Sequence, residues 1–170
     1  SFTERFSCLP KGVMLTPAGP KLLEFNTRFG DPECQALMVR LESDLIDLMM
    51  ATGTRQLDTV EVAWSTDAVC CVVLASAGYP GRYKTGVPIE GIEAAGKCPG
   101  VVVFQAGTKR EPGPGGRIVT AGGRVLNVVA RGATMLEARR RAYEACDLIQ
   151  FEGKTLRRDI GAGASAAIRA

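Results

Sequence analysis

The chain has 170 residues, enough for one ordinary domain or two small ones with a real core. Its 46% hydrophobic and 23% charged residues are those of a soluble globular protein, and no apolar run reaches the ~20 residues that span a bilayer. A net charge of +3 gives no signal for a polyanionic partner. The absence of histidine excludes histidine-ligated zinc, Ser-His triads and Cys-His dyads within this chain.

The six cysteines (Cys8, Cys34, Cys70, Cys71, Cys98 and Cys146) contain no C-x-x-C pair, and in a chain of this size and apolarity they read as reduced thiols. Residues 1–8 lack the basic region and apolar run of a secretory signal, so the expected location is cytoplasmic.

In chain order, residues 13–28 predict two short strands around Pro17-Ala18-Gly19-Pro20, a strong turn signal. In the second strand, over 21–26, Leu22, Glu24 and Asn26 share one side, joined by Arg28 if the strand runs that far. Asp31-Pro32 then predicts a helix start, with Asp31 as N-cap and Pro32 in the first helical position. This helix is expected to run to about residue 51. Its apolar stripe of Cys34, Leu37, Met38, Leu41, Leu45, Leu48 and Met49 recurs at helical spacing and reads as core.

A polar stretch over 52–59 marks a boundary, beyond which short strands and glycines dominate. Strands are expected at 69–75, 101–105, 118–120 and 125–129, the last two as a hairpin across Gly122-Gly123. A loop rich in glycine and proline covers 107–117. Its Gly113-Pro114-Gly115-Gly116 run is no phosphate cradle, because it joins no strand to a helix and Pro114 lacks an amide donor. A second helix begins at Thr134, where Thr134 and Glu137 form a capping box and Met135, Ala138, Ala142, Cys146 and Ile149 form the apolar stripe. Arg139-Arg140-Arg141 lies on this helix. The i,i+4 spacing of Glu137 with Arg141 and of Arg140 with Glu144 predicts a solvated face, so no nucleic-acid partner is expected. Residues 161–170 are small and unpatterned and read as a frayed tail.

The chemistry concentrates in residues 24–33. Glu24-x-Asn26-x-Arg28 on a strand puts a carboxylate, an amide oxygen and a guanidinium on one face. The two oxygens are hard ligands suited to Mg²⁺, and the arginine suits anionic oxygens, which together fit a phosphoryl-transfer site. A polar strand face in water, with Arg28 in an ordinary salt bridge, fits the same spacing, and spacing alone favours it.

The longer string Leu23-Glu24-Phe25-Asn26-Thr27-Arg28-Phe29-Gly30-Asp31-Pro32-Glu33 resembles the signature of the glycinamide ribonucleotide synthetase (phosphoribosylamine–glycine ligase) family of the ATP-grasp superfamily. The resemblance continues through Arg40-Leu41-Glu42-Ser43-Asp44-Leu45, the 72–81 stretch ending Gly78-Tyr79-Pro80-Gly81, Phe104-Gln105-Ala106-Gly107-Thr108-Lys109, Gly122-Gly123-Arg124-Val125-Leu126 and Arg158-Asp159-Ile160-Gly161. It implies an enzyme of purine biosynthesis that joins glycine to 5-phosphoribosylamine and converts ATP to ADP and phosphate through a glycyl-phosphate intermediate. It also implies Mg²⁺ or Mn²⁺ held by Glu24 and Asn26, with Arg28 beside the acyl phosphate. Asp31 and Glu33 would stand at the substrate end, although capping of the following helix also accounts for both. Lys109 could meet a substrate phosphate, but a plain exposed loop lysine fits it better.

Family members are much longer than this chain, and Gln105 stands where they usually carry histidine. The expected fold class is α+β: residues 1–62 as the C-terminal part of an ATP-grasp domain, and 63–170 as a small β-rich domain with one main helix. With most of the ATP clamp outside these residues, the polypeptide alone is expected to be inactive. Two other readings stay open, a non-catalytic binding or assembly module derived from the synthetase and another ATP-grasp ligase or carboxylase. The continuation Gly30-Asp31-Pro32-Glu33 speaks against the latter.

Overall fold

A computed structural model describes residues 11–25 and 28–163. They fall into two compact units that divide between Cys34 and Gln35, inside the first helix.

The smaller unit begins with an antiparallel hairpin, β1 (Lys11–Thr16) and β2 (Gly19–Phe25). Its two-residue turn is closed by the Thr16 hydroxyl, which donates to the Gly19 carbonyl at 2.7 Å and accepts from the Ala18 N–H at 3.2 Å. Two short strands around the Pro17–Pro20 turn are therefore present as expected. The expectations for residues 1–8, Cys8 among them, lie outside the described residues.

The helix expected over 31–51 is two helices, α1 (Glu33–Arg40) and α2 (Leu45–Gly53). The break arises because Asp44 acts as an N-cap, its carboxylate accepting from the Ile46 and Asp47 N–H groups. Residues 41–43 instead pair with the extended stretch that comes after a 3-10 turn at Leu57–Thr59. The Glu42 N–H donates to the Ala63 carbonyl at 3.0 Å, and Leu41 bridges to Trp64. The stripe read as core is not core here. None of its seven members is buried, and Leu37 and Met49 are exposed.

The centre of the larger unit is a four-stranded sheet of order β4-β7-β3-β8, where β3 is Ala68–Ser76, β4 is Val101–Gln105, β7 is Arg124–Gly132 and β8 is Lys154–Thr155. β5 (Thr108–Arg110) and β6 (Ile118–Thr120) form a separate two-stranded ladder. The hairpin expected between 118–120 and 125–129 is thus corrected: β6 turns back on β5, while β7 pairs with β3 and β4. The chain leaves one ladder for the other at Gly107 and Gly122, which lie too close for side chains. A Cβ on Gly107 would sit 2.7 Å from the Gly122 Cα. The loop expected over 107–117 shortens to the β5–β6 connection, closed by the Glu111 N–H on the Arg117 carbonyl at 2.8 Å.

Helix α3 (Ile92–Gly96), not foreseen, and helix α4 (Met135–Leu148) cover one face of the sheet. Cross-strand register puts Cys70 beside Ala130, Val72 beside Val128 and Leu74 beside Leu126 on that face, and all six are buried. From α4 come Ala138, Ala142, Tyr143, Ala145 and Cys146, so the predicted stripe is in place, with Met135 packed at its edge and Ile149 buried just past the helix end. The capping box forms with a one-residue variation. The Thr134 hydroxyl accepts from the Glu137 N–H at 3.2 Å, and the Glu137 carboxylate reaches the Ala133 N–H at 2.9 Å. Both expected i,i+4 ion pairs, Glu137–Arg141 and Arg140–Glu144, are made.

The segment after β8 is tied back onto α4. The Tyr143 hydroxyl donates to the Arg157 carbonyl at 2.7 Å and accepts from the Ile160 N–H at 3.1 Å. Arg139 donates to the Ile160 and Arg158 carbonyls, with its guanidinium 4.9 Å from the Tyr143 ring centre. Of the tail read as frayed, 164–170 lies outside the described residues. Substituting Tyr143→Phe removes both hydroxyl bonds and is expected to destabilise the unit by about 1–3 kcal/mol in urea unfolding.

Burial above all, and then the neighbouring Asp147, push the Cys146 thiol from 9.0 up to about 12. A raised folded-state pKa means that this thiol's contribution is fully present below pH 9.0 and is lost as pH rises towards about 12. Unfolding midpoints should therefore fall across that window, and the fall should be shallower in Cys146→Ala, in which this group no longer titrates.

Candidate functional site

The 24–33 segment is built from the end of the β1–β2 hairpin and the start of α1. Glu24 lies in β2, which is described over Gly19–Phe25. The side chain of Glu24 and the whole of Asn26 lie outside the described residues. Arg28 stands in a bend past the strand end rather than on the continued strand that alternation allowed. It is exposed, and its guanidinium donates to the Phe29 carbonyl at 3.0 Å.

The turn into α1 is organised by Glu33. Its carboxylate accepts from the Gly30 N–H at 3.0 Å, while the Gly30 carbonyl accepts from the Cys34 N–H at 2.9 Å as the first helical bond. The helix entry therefore lies one residue earlier than the Asp31 cap expected from sequence, and the carboxylate that satisfies an orphan donor belongs to Glu33. Asp31 and Pro32 form the turn, both partly buried, and the peptide between them is cis. Burial, then the Glu33 carboxylate, then that of Asp31 hold the Cys34 thiol above its ordinary value. Two carboxylates and a protonated thiol thus crowd the start of α1. Among the described residues no group of three or more His, Cys, Asp or Glu forms a metal cluster.

Three further motifs meet at one end of the main sheet. Ser76, at the end of β3, receives Gly123: its N–H donates to the Gly123 carbonyl at 2.8 Å and its hydroxyl to the Gly122 carbonyl at 3.1 Å. The Tyr79 ring lies against Gly123, and the Ala121 N–H donates to the Gly107 carbonyl at 2.7 Å. Gly78-Tyr79-Pro80-Gly81, Gly107-Thr108-Lys109 and Gly122-Gly123-Arg124 are therefore one packing junction. Lys109 is exposed on β5, Gln105 accepts from the Thr108 hydroxyl at 2.8 Å, and Gly113–Gly116 is the tip of the β5–β6 hairpin.

A polar network that sequence reading missed ties the 40–67 stretch to β7. Arg40 donates to the Ser65 carbonyl at 2.9 Å, and Arg131 donates to the Ser65 hydroxyl at 2.6 Å and to Asp67 at 3.0 Å. Its bonds join residues 25, 64 and 66 apart in sequence, with no local spacing to reveal them.

The Glu33 contacts generate a measurable expectation. Glu33→Gln removes a negative charge beside Cys34, which lowers the thiol pKa and raises its thiolate fraction. Alkylation of Cys34 by iodoacetamide at pH 8, followed by mass spectrometry, should run faster in the variant, with helix stability falling by about 0.5–1 kcal/mol.

Comparison with known proteins places these features. The family model of the phosphoribosylglycinamide synthetase C domain matches residues 69–163, from β3 through α4 to the segment tied onto it. Phosphoribosylamine–glycine ligase of Caulobacter vibrioides is 53% identical over 151 residues, covering 88% of this chain and 35% of its own. The Agrobacterium fabrum ligase is 49% identical over 150 residues, covering 88% and 34%. The crystal structure of phosphoribosylamine–glycine ligase from Thermotoga maritima superposes with a TM-score of 0.65 at 34% identity, over 88% of this chain and 35% of that one. The chain thus spans about a third of the length of the curated relatives it matches. It belongs to the phosphoribosylglycinamide synthetase family, and residues 69–163 are its C domain.

Proposed function

We propose that this chain is the C-terminal part of a phosphoribosylamine–glycine ligase, acting in the cytoplasm in purine biosynthesis on ATP, glycine and 5-phosphoribosylamine. The observation that carries the reading is 53% identity over 151 residues to a relative of that name. The boundary is proposed near residue 62, with the residues before it as the end of the ATP-grasp domain; a C-domain match that begins at 69 supports this.

Glu24 and Asn26 are the proposed metal ligands. A carboxylate and an amide oxygen are the hard donors that Mg²⁺ or Mn²⁺ takes alongside phosphate oxygens and water, so the donor set fits such an ion. That ion, when bound with ATP, supplies charge neutralisation across the phosphates. Arg28, in its exposed bend, is free of helix and strand geometry and would meet the anionic acyl phosphate as a bidentate donor. Glu33 is engaged by the Gly30 N–H, which supports a structural role at the helix entry ahead of direct substrate contact. Asp31, in the same turn, is likewise proposed at the substrate end.

Half an ATP clamp supplies little affinity. The 170-residue polypeptide alone is expected to show no phosphate release dependent on glycine and phosphoribosylamine. In the intact parent ligase, Glu24→Gln combined with Asn26→Ala should lower that release by about a hundredfold or more. Retained metal-dependent turnover in the double variant would remove the site assignment.

A further inference from the structure

Arg40 is the last residue of α1, so its carbonyl has no donor within the helix. Ser65 supplies one. Its N–H donates to the Arg40 carbonyl at 2.8 Å, and the Arg40 guanidinium donates back to the Ser65 carbonyl at 2.9 Å. The Ser65 hydroxyl accepts twice more, from Arg131 Nη2 at 2.6 Å and from the Asp67 N–H at 3.2 Å. Ser65 is only 5% exposed, so one small buried residue joins the end of α1 to a side chain of β7.

Arg131 is itself held from behind. Its N–H donates to the Gly100 carbonyl at 2.8 Å, and its carbonyl accepts from Arg141 of α4 at 2.9 Å. Arg141 is fixed in turn by Glu137 at 2.6 Å. A Cβ on Gly100 would lie 3.1 Å from the Arg141 guanidinium and 3.2 Å from the Arg131 carbonyl oxygen, so glycine keeps this passage open.

Residues 61–67 would be a hinge without these bonds. Apart from the Leu41–Trp64 bridge they belong to no helix or strand. The Asp67–Arg131 pair is 37% exposed on both sides, which leaves it little net energy. What it supplies is direction, because a planar guanidinium that meets a hydroxyl and a carboxylate together has its orientation set by both. Helix α1 runs unbroken from Glu33, whose carboxylate closes the turn holding Asp31, to Arg40.

We propose that Arg131 is a positioning residue of the ligase: through Ser65 it holds the Arg40 end of α1, and by the stiffness of that helix it steadies the turn at Glu33. The proposal rests on the ligase reading above. It gives a residue inside the C-domain match a part in the geometry of the reaction without contact to substrate.

Hydrogen exchange on the 170-residue chain reads the joint. In Arg131→Leu the Ser65 and Glu42 amides, which donate to Arg40 and Ala63, should exchange about tenfold faster while the amides of β7 keep their rates. If Arg131→Leu loosens β7 as well, Ser65→Ala decides, since it removes the hydroxyl and leaves the Ser65 backbone bonds in place. Unchanged Ser65 and Glu42 rates overturn the proposal. In the intact parent ligase, Arg131→Leu should lower kcat for glycine-dependent phosphate release about tenfold and hold the KM for ATP within about twofold. Arg131→Lys, which meets one acceptor at a time, should recover part of that loss. A kcat at the unsubstituted level, or a loss carried by the KM for ATP alone, overturns the positioning role. An unsubstituted parent without turnover defeats the ligase reading, and the exchange rates then decide the joint on their own.

Discussion

Helix α4 meets the β3–β7 face through Ala138, Ala142, Ala145 and Cys146, none of which exposes any surface. Small side chains let the helix axis come close, and the gap is filled from the sheet by Val72, Leu74, Leu126 and Val128. At the helix entry the approach is closer still. A Cβ on Gly132, the last residue of β7, would lie 2.6 Å from the Ala138 nitrogen, so β7 has to end on glycine for α4 to begin where it does. Neighbouring elements are arranged around that contact. α3 supplies the buried Ala95 beside it, and the 157–161 segment is held to the back of α4 by Tyr143 and Arg139. Interiors packed to this density tolerate little change of volume, so enlarging an α4 alanine would be felt across both strands.

Polar groups set the remaining geometry. Arg131 reaches Ser65 and Asp67 with its side chain, and its carbonyl accepts from Arg141 of α4 at 2.9 Å. One arginine thereby links the stretch before β3, the sheet and the helix. The Asp67–Arg131 pair is more than a third exposed on both sides, so its value lies in geometry more than in net energy. The apolar side of α2 shows the opposite balance. Ile46, Met49 and Met50 are more than half exposed, and Ala51 is the residue the helix buries.

How much of the site was legible depends on how local its chemistry is. The string from Glu24 to Glu33 was readable as a ligase signature because its donors sit within ten residues of one another. Alternation by itself favoured a solvated strand face, and only the longer string outweighed it. Glu33 was read correctly as a residue that suits the helix entry, but the N–H it satisfies belongs to Gly30, one residue before the cap expected at Asp31. The glycine motifs were visible one by one. That Gly107, Gly122 and Gly123 meet beside Tyr79 depends on strand pairing, which no single motif encodes.

By itself the sequence determined the features that short-range physics controls: the β1–β2 turn, the strands at 69–75 and 101–105 (though only Val101 of the second is buried, because it lies at the sheet edge), the Thr134 cap with its apolar stripe, the i,i+4 ion pairs, and the family that the ordered motifs share. Tertiary structure decided the rest. Local propensity allowed one helix over 31–51, yet pairing of residues 41–43 with 63–64, together with the Asp44 cap, divided it. A glycine pair suggested a hairpin between 118–120 and 125–129, but β7 buries six consecutive residues by pairing with β3 and β4 on either side. A lone hairpin could not bury them, and the gain in buried surface overrode the local turn signal.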